Sequence, residues 1–534
     1  MDMILYNARL HALDGVLPYT ALAVKDGKIA ALGSDEELLQ LDGEKIDLGG
    51  RTLYAGFADS HMHLLHFGIT LTEVELKNAR SIEEVIALGK KFIEENNVPA
   101  GQFISCHGWN QDLFPDKHIP TREDLDRIST EHPIVASRIC GHLATANTAA
   151  LKLFGITKDT RVDGGEIYLD ENGEPNGVVS ENALMLFDRS AGSVAVEEVM
   201  DILRLSARYA ASKGITCVHS DDLHSMSGCS GETVIEAFKR LAEEDDLAVR
   251  VYQQCQLITD EEFSAFFAQH KPGQQYGVFN LHSLKILSDG SLGGRTAALK
   301  QDYADAPGNT GILCFEPERL EEMVEIAHCN NMPVAVHAIG DRAIDLTLNA
   351  IEKAQKAHPG HDLKHGVIHC QITDEAILDR FKTLNAQAYV QPVFLEYDAH
   401  IVDDRVGKEL GATSYNWKSL LQRGVNVSGG SDCPVENMDS LPNFYCAMTR
   451  MDFDGKPAGG YHPEQNLTAQ ETLRIFTHNT AKLTGDEDHR GDLKLGFDAD
   501  FTVLDEDYFD VSPDHIKDVS VYMTVMGGKI RYRA

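Results

Sequence analysis

A chain of 534 residues, 43% of them hydrophobic, exceeds one ordinary core, so at least two domains are expected, with a barrel able to occupy most of the length. Lys and Arg number 48 against 83 Asp and Glu, a formal charge of -35 with the basic residues scattered, which argues against nucleic-acid and membrane partners. The opening "MDMILYNARL" lacks the basic-then-apolar pattern of a secretory signal, and no stretch approaches the ~18 uninterrupted apolar residues of a membrane span, so a cytoplasmic protein is expected.

In chain order, "MILYNARLHAL", "ALAVKDGKIAALG" and "KIDLGGRTLYAG" read as short strands joined by Asp-Gly and Gly-Gly turns. The C-terminal stretches "ADFTVLDED" and "VSVYMTVMGGKIRYRA" repeat that style, so residues 1–55 and 490–534 are expected to form one small β-sandwich domain together. Between them come eight strand candidates, at 57–63, 216–221, 249–256, 284–290, 333–338, 366–370, 386–392 and 425–432. From the second onward, helical patterns such as "EEMVEIAHCNN", "AIDLTLNAIEKAQKA" and "DEAILDRFKTLN" separate them, the signature of a parallel sheet. Eight units predict an α/β TIM (β/α)8 barrel over 56–489.

About 150 residues separate the first two strand candidates. They carry a helix pattern, "SIEEVIALGKKFIEEN", and strand patterns in "QFISCHGW", "PIVASRI" and "GEIYLD", and predict an inserted subdomain at about 70–190 capping the barrel mouth. The ten cysteines never form a C-x-x-C pair, so neither a disulfide framework nor a thiolate metal knuckle is expected.

Barrel active sites are built at the C-terminal ends of the strands. In "GFADSHMHL" the side chains of Asp59, His61 and His63 alternate onto one face, which is enough to offer two imidazoles to one metal ion. The fourth candidate carries Lys285, the fifth ends at His337, the sixth at His369 and the eighth at Asp432. Any single histidine is more often a packed or solvated residue than a ligand. Four histidines and an aspartate at the ends of four different strands form a constellation, whereas those in "AHPGHDLKH" and "YHPEQ" fall in loops.

The chain resembles the amidohydrolase superfamily, in its branch of N-substituted formamide deformylase-like and exoenzyme regulatory AepA-like proteins. The resemblance runs through "GFADSHMHL", "HGWNQDLFP", "CGHLATANTAAL", "PNGVVSENA", "LKILSDGSLGGRTAAL", "VAVHAIGDRAID", "VSGGSDCPV" and "GDLKLGFDADFTVLD". One departure is visible: the branch's "EHAQ"-like stretch is "IHCQ" here, keeping His369 but placing Ile368 before it.

The resemblance implies two divalent metal ions, most often zinc, one held by His61, His63 and Asp432 and a more exposed one by His337 and His369. It implies that Lys285 is carboxylated by carbon dioxide to a bridging carbamate; the plain alternative is a buried ion pair with Asp289 or another acid. Two such ions acidify a shared water and polarise a carbonyl, and Asp432 then acts as proton shuttle to the leaving amine. The mononuclear deaminase branch carries a Glu shortly after the fifth-strand histidine, and here the run is "HAIGDRA", with Asp341.

The expected activity is hydrolysis of a C–N bond in a small amide or N-substituted formamide. A lactonase or phosphotriesterase with the same metals, and a regulatory or binding protein on this scaffold, are the alternatives. By the same resemblance Trp109 and His142 lie over the mouth as substrate contacts, with Arg295 beside them. Trp109 could equally pack inside the insertion, and Arg295 pair with an acid. The expected partner is a small-molecule substrate, with homo-oligomerisation left open.

Overall fold

The computed structural model describes residues 1–95, 98–140, 142–187 and 194–534. Two compact units divide it: Met1–Leu64, Leu203–Ser225 and Val234–Ala534 form one, Leu65–Ile202 and Met226–Thr233 the other.

The first unit holds an eight-stranded, nearly closed parallel barrel. Its strands are β1 (Phe57–Met62), β2 (Ile215–Ser220), β3 (Arg250–Gln256), β4 (Phe279–Leu287), β5 (Val334–Ala338), β6 (Gly366–His369), β7 (Gln387–Val390) and β8 (Val427–Gly429). Each pairs in parallel with the next from β1 to β8. At the seam, Ser60 Oγ of β1 donates to Ser428 O of β8 at 3.2 Å.

All eight strands fall on the stretches expected from sequence. The fourth starts earlier than expected, at Phe279, because "FNLHS" extends the ladder beside β3. Parallel strands are covered on both faces, which is why β5 reads Val-Ala-Val-His-Ala with all but the histidine buried. Helices return the chain between strands: Pro317–Cys329 begins with proline, whose missing N–H costs nothing at a helix start, and Glu375–Thr383 is capped by Asp374, which accepts from Ile377 N. Ile344 and Leu348 of the helix Asp341–Ala357 and Leu378 and Phe381 of Glu375–Thr383 share one core with Val367 and Ala388 of the sheet.

The same unit contains two further sheets built from both chain ends. In one, Met3–Tyr6 pairs with Ala21–Lys25 and Glu44–Asp47, and Lys28–Gly33 lies at the edge. In the other, Thr52–Ala55 lies between Arg9–Ala12 and Phe501–Leu504, and Val521–Met526 and Lys529–Arg533 follow. Leu5, Leu22, Ile46, Leu53, Phe501 and Val525 share one core between the sheets.

The second unit carries a six-stranded mixed sheet whose central strands are Ile104–Trp109, Ile134–Arg138, Leu143–Ala146 and Pro175–Glu181, with the helix Ile82–Glu95. The last two strands lie in "CGHLATANTAAL" and "PNGVVSENA", which were read for motif rather than periodicity. The expected end of the insertion, at about 190, lies outside the described residues. All ten cysteines are free. Among the described residues no helix is long and apolar enough to cross a membrane.

Candidate metal centre

The end of β1 and the turn after β8 are built as one piece. Asp59, fully enclosed, accepts from His61 N at 3.0 Å and, across the seam, from Ser431 N at 3.1 Å and Ser431 Oγ at 2.5 Å. Burial pushes the Asp59 carboxyl up to about 7. Between these partners sits Gly430, where a Cβ would lie 2.7 Å from Asp59 Oδ1 and 2.8 Å from His61 N. His61 O then accepts from Asp432 N at 2.8 Å, which fixes the Asp432 backbone in the left-handed region at φ 59°. His369 sits at φ 81° at the end of β6. Both candidate ligands are thus held in a sparsely populated backbone region.

Asp432 collects the first two histidines. His61 Nε2 lies 3.3 Å and His63 Nε2 3.2 Å from the same oxygen, Oδ1. Burial alone would raise the Asp432 pKa, but the two imidazoles outweigh it and hold the carboxyl well below the usual carboxylate range. Burial, with Lys285 nearby, pushes His61 down to about 4. At His63 burial acts in the same sense but is overcome by the hydrogen bond to Asp432 and the charges of Asp221 and Asp432, raising it to about 9.

The other ring nitrogens are used. His61 Nδ1 is 2.6 Å from Gln254 Oε1, and His63 Nδ1 is 2.8 Å from Asp221 O. His369 Nδ1 is 2.9 Å from Gln391 Oε1, its Nε2 is 2.8 Å from His337 Nδ1, and burial holds its pKa well below the ordinary histidine value. His337 Nε2 is 3.2 Å from Gly290 O and 3.4 Å from Asp289 Oδ1.

The donor set fits a divalent cation. Oxygens of Gln254 and Asp221 accept at Nδ1 of His61 and His63, so those nitrogens carry protons and Nε2 is the atom turned inward, while His369 Nδ1 faces the amide of Gln391. At His61 burial opposes a second proton, so its Nε2 lone pair faces the Asp432 carboxylate, and the proton that Asp432 and Asp221 favour on His63 sits where a divalent ion would take its place. Such an ion would find there the nitrogen and oxygen ligands zinc-type ions take. Ligand atoms of His61, His369 and Asp432, all buried, lie within 4.8 Å of one another. This grouping differs from the division expected from sequence: His369 joins His61 and Asp432, while His63 also meets Asp432.

Lys285 is enclosed, and its Nζ lies 3.2 Å from Asp221 Oδ2. Its acid is therefore Asp221 rather than Asp289, which instead accepts from the backbone of Ala298, Ile339 and Gly340. The three expected substrate contacts are placed as follows. Trp109 is fully buried in the core of its own unit, its indole N–H donating to Ala136 O at 2.8 Å, so its ring is used in packing. His142 is exposed, with Nδ1 3.1 Å from Glu181 Oε2. Arg295, at φ 54°, grips Asp305 with Nε at 3.0 Å and Nη2 at 2.8 Å.

Asp221, Gln254 and Gln391 were missed from sequence. "HSDD", "YQQCQ" and "VQP" carry no spacing that marks them; only their strand-end placement, two on the faces of His61 and His369, could have.

Known proteins resemble the chain over nearly its whole length. Residues 44–532 match the model of the Amidohydrolase family. The putative amidohydrolase YtcJ of Bacillus subtilis (strain 168) is 33% identical over 519 residues, covering 96% of each chain. The N-substituted formamide deformylase of Arthrobacter pascens is 24% identical over 553 residues, covering 99% of this chain and 98% of its own. The crystal structure of an uncharacterized metal-dependent hydrolase from Pyrococcus furiosus matches with a TM-score of 0.77 at 26% identity, covering 95% of this chain and 100% of that one. With a family match running through every barrel strand and every candidate ligand, the chain belongs to the amidohydrolase family and is a hydrolase of the metal-dependent amidohydrolase superfamily.

Proposed function

We propose that this hydrolase cleaves the C–N bond of a small amide or N-substituted formamide, with His61, His63, His337, His369 and Asp432 holding two divalent ions, zinc being the best match to these donors. The observation that carries the reading is the convergence of His61 and His63 on one oxygen of Asp432. Likeness to the formamide deformylase of Arthrobacter pascens over nearly the whole of both chains supports the choice of bond.

When bound, such ions acidify water and polarise a carbonyl oxygen. The chain's own residues do the rest. Asp432, held ionised by its imidazole neighbours, is a ready acceptor for the proton of an attacking water. It passes that proton to the nitrogen of the leaving amine, which would otherwise depart as a strongly basic anion. Lys285, if its ammonium gave up a proton to solvent and the free amine added carbon dioxide with loss of a second proton, would exchange a positive charge for a negative one and bring two oxygen donors to the set.

Zinc-loaded protein assayed against formamides, N-acyl amino acids, lactones and phosphotriesters tests the reading. Turnover of the amide or formamide members, lost on chelation, is expected. Turnover confined to lactones or phosphotriesters would overturn it.

A further inference from the structure

We propose that Gln254 and Gln391 are positioning residues that decide which ring nitrogen of His61 and of His369 carries the proton, Gln254 as a fixed lock and Gln391 as an amide able to turn. The proposal rests on the reading that these two histidines ligate metal.

Gln254 has its orientation dictated. Its Nε2 lies 3.2 Å from Ser60 O, and a carbonyl oxygen only accepts, so the amide nitrogen must sit on that side. Oε1 is then the atom 2.6 Å from His61 Nδ1, and it too only accepts. The proton is therefore on Nδ1, and Nε2 is left as the lone pair turned toward Asp432. Turning this amide over would set two oxygens against each other at Ser60.

Gln391 differs in one respect. Its Oε1 is 2.9 Å from His369 Nδ1, but its Nε2 is buried and has no hydrogen-bond partner among the described residues. No second bond resists rotation of this amide. His337 gives the rotation a purpose: its Nε2, 3.2 Å from Gly290 O, carries a proton, so neutral His337 has a lone pair at Nδ1. That lone pair lies 2.8 Å from His369 Nε2. Without a cation the contact needs a proton on His369 Nε2, which leaves Nδ1 bare and calls for the Gln391 N–H. With a cation at Nε2, the proton returns to Nδ1 and Gln391 presents its oxygen. One residue serves both states because it is an amide.

Both acceptors are neutral. Partners that accept the ring N–H hold the ligand's tautomer and orientation, and replacing them typically costs about 10–100-fold in metal affinity. An amide does this without adding negative charge beside Asp432 and Asp221.

The test is zinc affinity by chelator competition, with thermal melting as a check on folding. Gln391→Leu is expected to weaken zinc binding by about 10-fold or more. Gln391→Glu is expected to bind at least as tightly as the natural protein, because its carboxylate accepts from Nδ1–H and holds the ligating tautomer. A side chain that only filled space would show no such split. Nitrogen-15 spectra of labelled histidine in the natural protein give a readout that needs no variant. His61 is expected with its proton on Nδ1 with and without zinc, and His369 is expected to move its proton from Nε2 to Nδ1 on loading.

Zinc affinities within twofold for both variants, or a His369 proton that stays on one nitrogen throughout, would overturn the proposal and leave the metal-site reading standing. A natural protein that takes up no zinc would overturn the metal-site reading itself, while the His61 spectrum would still report on Gln254.

Discussion

Lys285 Nζ lies 3.2 Å from Asp221 Oδ2, with both side chains enclosed at the ends of β4 and β2, the two strands that flank β3. As an ordinary ion pair it would be expensive to break, since a buried charge left without its partner costs about 3–5 kcal/mol. As a carbamate its charge would be reversed. Protein prepared with zinc and bicarbonate is expected to show extra density for a carboxyl group on Lys285, and Lys285→Ala to lose metal and activity, both partly restored by short carboxylic acids. Metal-loaded, active protein with a plain Lys285 ammonium against Asp221 would remove the carbamate.

Asp432→Asn keeps the side chain's shape but removes the group proposed to take and return a proton. Turnover is expected to fall by about 100-fold or more, with zinc content measured alongside to separate loss of the shuttle from loss of metal. Near-normal turnover in zinc-loaded Asp432→Asn would reassign the shuttle.

Gly430→Ala places a methyl group 2.7 Å from Asp59 Oδ1 and 2.8 Å from His61 N, against backbone on one side and on the other a carboxylate held by hydrogen bonds from His61 and Ser431. A loss of about 1–3 kcal/mol in unfolding free energy is expected from overpacking, together with weaker zinc binding because His61 and Asp432 flank the clash. Unchanged stability and affinity would show that the seam between β1 and β8 yields.

His365 contributes a pH dependence to stability. Burial, and secondarily the charge of His328, lowers it to about 3, and its Nδ1 accepts from Val334 N at 3.1 Å, which only an unprotonated nitrogen can do. The unfolded chain has an ordinary histidine near 6.5. Between about 6.5 and 3 the unfolded state binds the extra proton, so this contribution is complete above that window and is lost as pH falls through it. The slope is at most about 1.4 kcal/mol per pH unit. Urea midpoints measured from pH 7 to pH 5 should fall less steeply for His365→Asn than for the natural protein, and parallel slopes would count against the assignment.

The barrel was legible because its signal is local. Each strand is a short apolar run between helical patterns, and His61, Asp432 and their companions are residue types that stand out at a strand end. The partners that set their chemistry are less visible. Gln254 and Gln391 are ordinary glutamines in or just past a strand, whose role depends on which histidine another strand brings beside them, a relation with no sequence period. Asp221 follows a strand in a run with a second aspartate, and nothing local separates the two. Asp59 was legible as a member of the histidine face, yet its carboxylate turns to the backbone of His61 and Ser431, because burial makes those N–H groups its best partners.

Phe57 N at the start of β1 donates to Thr502 Oγ1, 445 positions further on, and Thr52–Ala55 just before it takes Phe501–Leu504 as its ladder partner. During synthesis at about 5–20 residues per second, roughly 20–90 seconds pass between the emergence of the two strands. Through that interval Thr52–Ala55 has an open edge, the kind of surface that pairs with whatever strand is nearest. The element that carries the chain into the strand of His61 is thus among the first made and the last secured, and the nascent chain has to keep that edge from other partners until its own arrives.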